Sequence, residues 1–237
     1  MPKKDSPRNN SHKIRIITNL LTTALKLWLK SQVSQVSQLE VEIKASDRQI
    51  LSGRIPWVSI IASHAVYQGL NITRIQLVAE NIQVNIGSIL KGQQLKLLET
   101  VPVVGNLIVE EKDLNSSLSS NLLFSALNDV VLKILPEFSL KSQQISWQKI
   151  ILANHQIILN AILSPTSEPT PLEMYVNLDL ISGHELNLEK IQVIQKEVPI
   201  FQDEQSYHLD LGSDVDIQEL SLTPGKLVCQ GRINVNP

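Results

Sequence analysis

The residues that could do chemistry in this sequence are few and widely separated. The sequence contains no G-x-S-x-G elbow, no H-E-x-x-H helix, no phosphate-binding Walker loop and no C-x-x-C pair. Its five histidines are scattered, and only His208 with Asp210 places a histidine and an acid on one predicted strand face. Such a pair could transfer protons, but an exposed strand face explains both residues equally well. We therefore predict a protein that is not an enzyme and that needs no cofactor.

Acidic and sulfur side chains offer two further candidates. Asp214 and Asp216, with Glu204 and Glu219, could gather around a cation, but the ligand spacing of an EF-hand loop is absent. A solvated acidic rim accounts for these residues, and no metal site is predicted. The single cysteine, Cys229, excludes an internal disulfide. It lies in an apolar alternation, which favours a small buried side chain over a nucleophile.

Composition and charge narrow the class of partner. Aromatic residues make up 4% of the 237 residues, which is low for a protein that reads bases by stacking, so no nucleic-acid partner is expected. Residues 1–39 hold seven basic residues and one acidic residue, whereas the remainder holds 14 basic and 22 acidic residues. A basic segment on an acidic body points to an anionic surface, most simply a membrane.

An amphipathic helix is predicted over residues 13–36, after a basic tail at residues 1–12 that is predicted to be disordered. Its Leu/Ile/Trp face either lies in a lipid headgroup layer or packs against the protein, since both need the same pattern. The chain shows neither an apolar run of the about 20 residues that span a membrane nor a clear cleavable signal peptide, so peripheral membrane association is predicted, on a side left open. The residues predicted for the membrane-facing helix are Ile17, Leu21, Leu25, Trp28, Arg15 and Lys26.

Strands dominate the rest of the chain. Residues 46–109 alternate apolar and polar side chains with a period of two, which predicts long β-strands. The phase flips between Glu80 and Asn81, as a bulge or a corner would require, and such flips let a sheet curl. Alternating segments continue from residue 145 to residue 235, with no composition break and no βαβ rhythm. These patterns predict a single α+β domain over residues 13–237, built as curled antiparallel sheet around an apolar interior.

A second helix is predicted over residues 113–135, with Asp113 as N-cap and a break near residues 119–121. Between Asn121 and Leu135 only Asp129 and Lys133 are charged. Because apolar side chains cover more than half of its circumference, we expect the helix to be wrapped by the sheet or to line a lipid-sized cavity. The residues predicted to line this lipid groove are Leu123, Phe124, Leu127, Val130, Val131 and Ile134.

An ordered series of segments resembles the LmeA-like family of bacterial phospholipid-binding proteins. The segments are LWLKSQV, SDRQILSGRIPWVSI, AVYQGL, NIGSILKGQQLKLLETVPVVG, EKDLNSSL and the closing GKLVCQGRINV. The resemblance implies a non-enzymatic, membrane-associated protein with an elongated antiparallel sheet curled around helix, similar to the tubular lipid-binding (BPI-like) domains. It also implies that a phospholipid lies in an apolar groove. It assigns no residue to the lipid headgroup.

Together these observations lead to one hypothesis and one alternative. In the hypothesis, acyl chains lie between the second helix and the concave face of the sheet, while the basic N-terminal helix brings the protein to an anionic membrane surface. In the alternative, the protein is a structural or scaffolding envelope protein whose core is filled by its own side chains and holds no ligand. The oligomeric state is left open by both.

Overall fold

The computed structural model describes residues 10–89, 91–135, 144–164 and 169–237. Most of this part of the chain is antiparallel β-sheet, accompanied by short and medium-length helices, as the sequence predicted. The elements in chain order are α1 (Asn10–Gln32), β1 (Gln38–Lys44), α2 (Asp47–Leu51), β2 (Arg54–Tyr67), β3 (Leu70–Gln83), α3 (Ile86–Ile89), β4 (Val101–Glu110), α4 (Glu111–Ser116), α5 (Asn121–Ile134), β5 (Gln144–Ala153), β6 (Gln156–Ser164), β7 (Thr170–Ser182), β8 (Glu185–Gln195), β9 (Val198–Asp203), β10 (Tyr207–Asp210), β11 (Val215–Thr223) and β12 (Lys226–Val235).

The strands form two open sheets. Sheet 1 has the order β1-β2-β3-β4-β12-β11, so the last strand of the chain pairs with β4 from the first half. Sheet 2 has the order β10-β8-β7-β6-β5, with β9 also paired to β8. Neighbouring strands are antiparallel throughout both sheets. The two sheets meet where the turns of the β5–β6 and β11–β12 hairpins exchange backbone hydrogen bonds, such as that from Gly225 N–H to the Leu152 carbonyl at 2.9 Å.

The predicted change of phase in β3 is present at Glu80–Asn81. Ala79 and Ile82 are both buried although they lie three residues apart, so the buried side changes from odd to even positions. Asn81 has a φ of +54°, in the left-handed region that asparagine tolerates better than most residues. The pairing of β3 with β2 keeps its register through this point. The flip therefore arises from the backbone conformation of Asn81 and not from the inserted residue of a bulge.

The first core lies under α1 and α2 at one end of sheet 1. Leu21 and Leu25 of α1 are 1% and 8% exposed, and they belong to the same buried cluster as Ile50 of α2. Val58 of β2 and Val103 of β4 contribute to this cluster from the sheet. The later turns of α1 thus pack against the protein, which is the second of the two interpretations of this helix.

The second core lies between α5 and sheet 2. Leu127, Val131 and Ile134 form the inner face of α5 and belong to a buried cluster with residues of β5 to β8. On the outer face Leu122, Phe124 and Leu132 are 41%, 41% and 40% exposed. Among the described residues, α5 therefore lies on one face of a sheet and is not wrapped by it, and the alternative expectation, that the helix lines a lipid-sized cavity, stays a prediction. The hydrophobicity of the outer residues does not determine whether protein or solvent covers them.

Helix α4 connects the two sheets through side-chain hydrogen bonds. The Asn115 side chain accepts a hydrogen bond from Ile150 N–H at 2.9 Å and donates to the Ile150 carbonyl at 2.7 Å. Glu111 accepts from Leu152 N–H at 2.8 Å, so α4 serves as a partner for the edge strand β5. On the other side, Asp113 accepts a hydrogen bond from the Thr73 hydroxyl of β3. The break between α4 and α5 falls at residues 117–120.

Candidate functional site

One face of sheet 1 is apolar across all six strands. Because residues directly opposite each other on paired strands share a face, the pairing register defines straight rows of side chains across the sheet. Followed from β1 through β2, β3, β4 and β12 to β11, three successive rows are Leu39, Ala62, Ile75, Leu107, Cys229 and Leu220; Val41, Ile60, Leu77, Gly105, Gly231 and Ile217; and Ile43, Val58, Ala79, Val103, Ile233 and Val215.

The opposite face of the same sheet is mostly polar. The row that lies between the first two apolar rows, on the other side of the sheet, consists of Glu40, Ile61, Gln76, Asn106, Gln230 and Glu219. A slip of one residue in any strand would exchange the two faces, so this pattern fixes the register. Sheet 1 therefore presents an apolar surface across all six strands on one side only.

Part of this apolar face is left uncovered between the two cores. Toward β1 it is covered by α1 and belongs to the first core. Farther from α1, seven residues of this face on β3, β4, β12 and β11 belong to neither buried cluster: six are half-buried, and Ile233 is 42% exposed. We call this surface the apolar strip. Its residues are Ile75, Leu107, Val215, Ile217, Leu220, Cys229 and Ile233.

The dimensions of the apolar face suit an extended hydrocarbon chain. The uncovered part of a row crosses the four strands β3, β4, β12 and β11 and spans about 14 Å, and successive rows on one face are about 7 Å apart. One leaflet of a bilayer contributes about 15 Å of hydrocarbon thickness, so the uncovered part of a row matches the length that an acyl chain occupies in a membrane. None of the residues in the three rows is charged. This surface can sequester apolar groups, and it offers no acid, base or nucleophile other than the Cys229 thiol.

The predicted groove residues of α5 lie elsewhere. Leu127, Val131 and Ile134 contact protein side chains in the second core, and Leu123 and Val130 are half-buried against the same core. Phe124 is on the outer face of the helix. The structure does not bring these six residues together around an open groove, and contact between them and lipid stays a prediction.

Of the six predicted membrane-facing residues of α1, four have side chains that the structure describes. Leu21 and Leu25 are buried in the first core, and Trp28 packs half-buried against it. Lys26 is half-buried on the same helix. The side chains of Ile17 and Arg15 lie outside the described set. Membrane contact of this helix stays a prediction, and in the present conformation Leu21 and Leu25 face the protein.

The residues considered for catalysis lie at the protein surface. His208 is on the edge strand β10, and its Nδ1 lies 2.8 Å from a carboxylate oxygen of Glu185 on β8, not beside Asp210. The Asp210 carboxylate instead accepts a hydrogen bond from Gly212 N–H at 2.9 Å. Within the described ranges, no three His, Cys, Asp or Glu side chains cluster so that they could hold a metal ion.

A polar cavity of about 400 Å³ lies at the far end of sheet 1, where β2 begins and β3 ends. Its walls carry amides and a guanidinium, so it does not suit an acyl chain. The residues that line it are Gln49, Arg54, Ile55, Pro56, Asn81 and Gln83.

Comparison with protein families identifies the chain as a whole. The model of the LmeA-like phospholipid-binding family matches residues 13–232 of the 237. The chain belongs to the LmeA-like phospholipid-binding family. The match covers sheet 2 and all of sheet 1 except residues 233–235 at the end of β12, so Ile233 is the one strip residue that lies beyond it. No curated protein and no solved structure shows a significant match, so the similarity of this LmeA-like protein to tubular lipid-binding domains stays a prediction.

The strip residues of the LmeA-like chain were not assigned from the sequence. Alternation gives an apolar side to each strand separately, and Cys229 was recognised as part of such a side. What alternation does not give is the pairing of β4 with β12, which brings Leu107 and Cys229 together. None of the helices in the described residues is both long enough and apolar enough to span a membrane.

Proposed function

We propose that this LmeA-like protein is a non-enzymatic phospholipid-binding protein that holds acyl chains on the apolar strip. The observation that carries the proposal is the uncovered part of the apolar face of sheet 1, between two filled cores. Each methylene removed from water contributes about 0.8 kcal/mol, so a partly enclosed chain of ordinary length supplies ample binding energy. Membership of a phospholipid-binding family supports the same ligand class.

Packing supports sheet 1 rather than the inner face of α5 as the position of the lipid. The inner face of α5 already has protein partners, and Val131 is 0% exposed. A chain inserted there would have to displace side chains from a closely packed core, which costs free energy. On the apolar strip, an acyl chain would cover side chains that belong to neither buried cluster, so it would displace no packed residue.

Peripheral association with an anionic membrane is part of the proposal. The excess of basic residues within residues 1–39 supports it, since each Lys or Arg near an anionic surface contributes about 1 kcal/mol. We expect the earlier turns of α1 to contact the membrane while the later turns remain docked on sheet 1. Removing residues 1–17 should then reduce sedimentation with anionic vesicles and leave phospholipid binding in solution unchanged.

The Cys229 thiol gives a direct test, because it lies at the centre of the strip and is the only cysteine of the chain. Burial raises the pKa of this thiol, so its alkylation should still accelerate with pH beyond the range where an exposed cysteine has levelled off. A saturating phospholipid should slow alkylation at every pH by covering the thiol. The measurement is the rate of iodoacetamide incorporation by mass spectrometry, with and without lipid.

The same measurement separates the proposal from a scaffold without a ligand. A scaffold predicts equal alkylation rates in both samples and no phospholipid in an organic extract of the purified protein. Alkylation of a free cysteine in the same lipid mixture is the control for reagent that partitions into the lipid.

A further inference from the structure

We infer that the apolar strip selects its ligand by the length of the acyl chains and does not read the headgroup. This inference rests on the proposed function and goes further, because it names the part of the phospholipid that determines affinity.

The strip offers no partner to a phosphate. Its members are Val, Leu, Ile and one Cys, and the remaining residues of the three rows on this face are Gly, Ala, Val, Leu and Ile. A headgroup-specific site needs charged or amide groups aimed at the phosphate and its substituent. In the part of the chain that the structure describes, the apolar face supplies none.

The two arginines nearest in sequence to the strip lie on the other face of the sheet. Arg74 precedes Ile75, and Arg232 precedes Ile233, and successive residues of a strand point to opposite faces. Arg232 lies 3.8 Å from a carboxylate oxygen of Asp216 on that polar face. A lipid on the strip is therefore separated from both guanidinium groups by the thickness of the sheet.

The length of the acyl chains, in contrast, determines how much hydrocarbon contacts the strip and therefore the affinity. Each further methylene that the strip covers tightens binding by up to about fourfold. Since the strip crosses four strands and spans about 14 Å, short chains leave part of it uncovered, and the affinity rises as the chains lengthen toward that span. Headgroup changes act outside this contact and have little effect on it.

Three soluble lipids test the inference, each kept below its micelle-forming concentration. They are dihexanoyl phosphatidylcholine, dioctanoyl phosphatidylcholine and dioctanoyl phosphatidylglycerol. Titration calorimetry on the full chain should show that the two dioctanoyl lipids bind within about threefold of each other. The dihexanoyl lipid should bind at least about tenfold more weakly, because four methylenes are missing.

One other outcome would contradict this inference alone, and a second would contradict the proposed function. If the two dioctanoyl lipids differ by more than tenfold while the two phosphatidylcholines bind alike, the headgroup is read and the inference is wrong, although the protein still binds phospholipid. If none of the three lipids binds, the proposed function itself is wrong. Arg74→Gln and Arg232→Gln serve as matched variants, and each should bind dioctanoyl phosphatidylglycerol as the unaltered protein does.

Discussion

Replacing Ile217 and Ile233 together with serine is expected to weaken phospholipid binding by more than about tenfold, because each removed methylene contributes about 0.8 kcal/mol where lipid covers it. Both side chains lie on the apolar strip and neither belongs to a buried cluster, so the fold should tolerate the change. The measurement is calorimetric titration with dioctanoyl phosphatidylcholine, after circular dichroism has established that the double variant is folded.

Two control variants make this expectation specific. Val104 is 53% exposed and lies on the polar face of sheet 1, so Val104→Ser makes the same kind of change on the wrong side of the sheet. Phe124→Ser removes the exposed aromatic side chain of α5. Both controls should bind lipid normally. Loss of binding in Phe124→Ser, with normal binding in the strip variant, would place the lipid beside α5 instead.

Replacing Asn115 with alanine is expected to lower the free energy of unfolding by about 2–4 kcal/mol, since it leaves partly buried backbone groups without partners. The Asn115 side chain bonds to both the N–H and the carbonyl of Ile150 and also to the Glu111 carbonyl at 2.7 Å. No alanine can replace these bonds. Equilibrium unfolding in urea measures the change.

The neighbouring Ser116 provides the matched control for Asn115. Its hydroxyl is exposed and donates only to the Lys112 carbonyl one turn earlier in α4. Ser116→Ala should change the free energy of unfolding by less than about 0.5 kcal/mol, as is usual for surface substitutions. Equal stabilities of the two variants would mean that α4 does not support the edge of sheet 2.

Local features of the fold could be read from the sequence because they depend on neighbouring residues. Alternation with a period of two predicts strands wherever one face is less exposed than the other, as in β1 and β7. The change of phase at Glu80–Asn81 was visible for the same reason, and asparagine is well suited to the φ of +54° that produces it. The origin of the flip in backbone conformation, rather than in a bulge, required the pairing register.

The candidate site could not be read from the sequence because it depends on distant residues. Ile75, Leu107 and Cys229 become neighbours only when β12 pairs with β4, and alternation within each strand carries no information on partners. Helix α5 shows a related limit. Leu122 and Phe124 are as apolar as Leu127, yet the first two are exposed and the third is buried. The hydrophobicity of a side chain predicts that it prefers to be buried, but not whether another part of the protein lies against it.

The N-terminal helix was ambiguous for a physical reason as well. An apolar stripe on a basic helix suits a membrane surface and a protein core alike. Packing decided between them for Leu21 and Leu25, because sheet 1 and α2 offer these residues an apolar partner. The sequence showed the stripe but not that partner.

The most direct test of the account is photocrosslinking with a phospholipid that carries a diazirine in one acyl chain. After irradiation of the complex and digestion, mass spectrometry identifies the labelled peptides. The account predicts labels in β4, β11 and β12, at or beside Leu107, Ile217 and Ile233. Labels confined to α5 would contradict it, since the acyl chain would then lie beside the helix and not on the apolar strip of sheet 1.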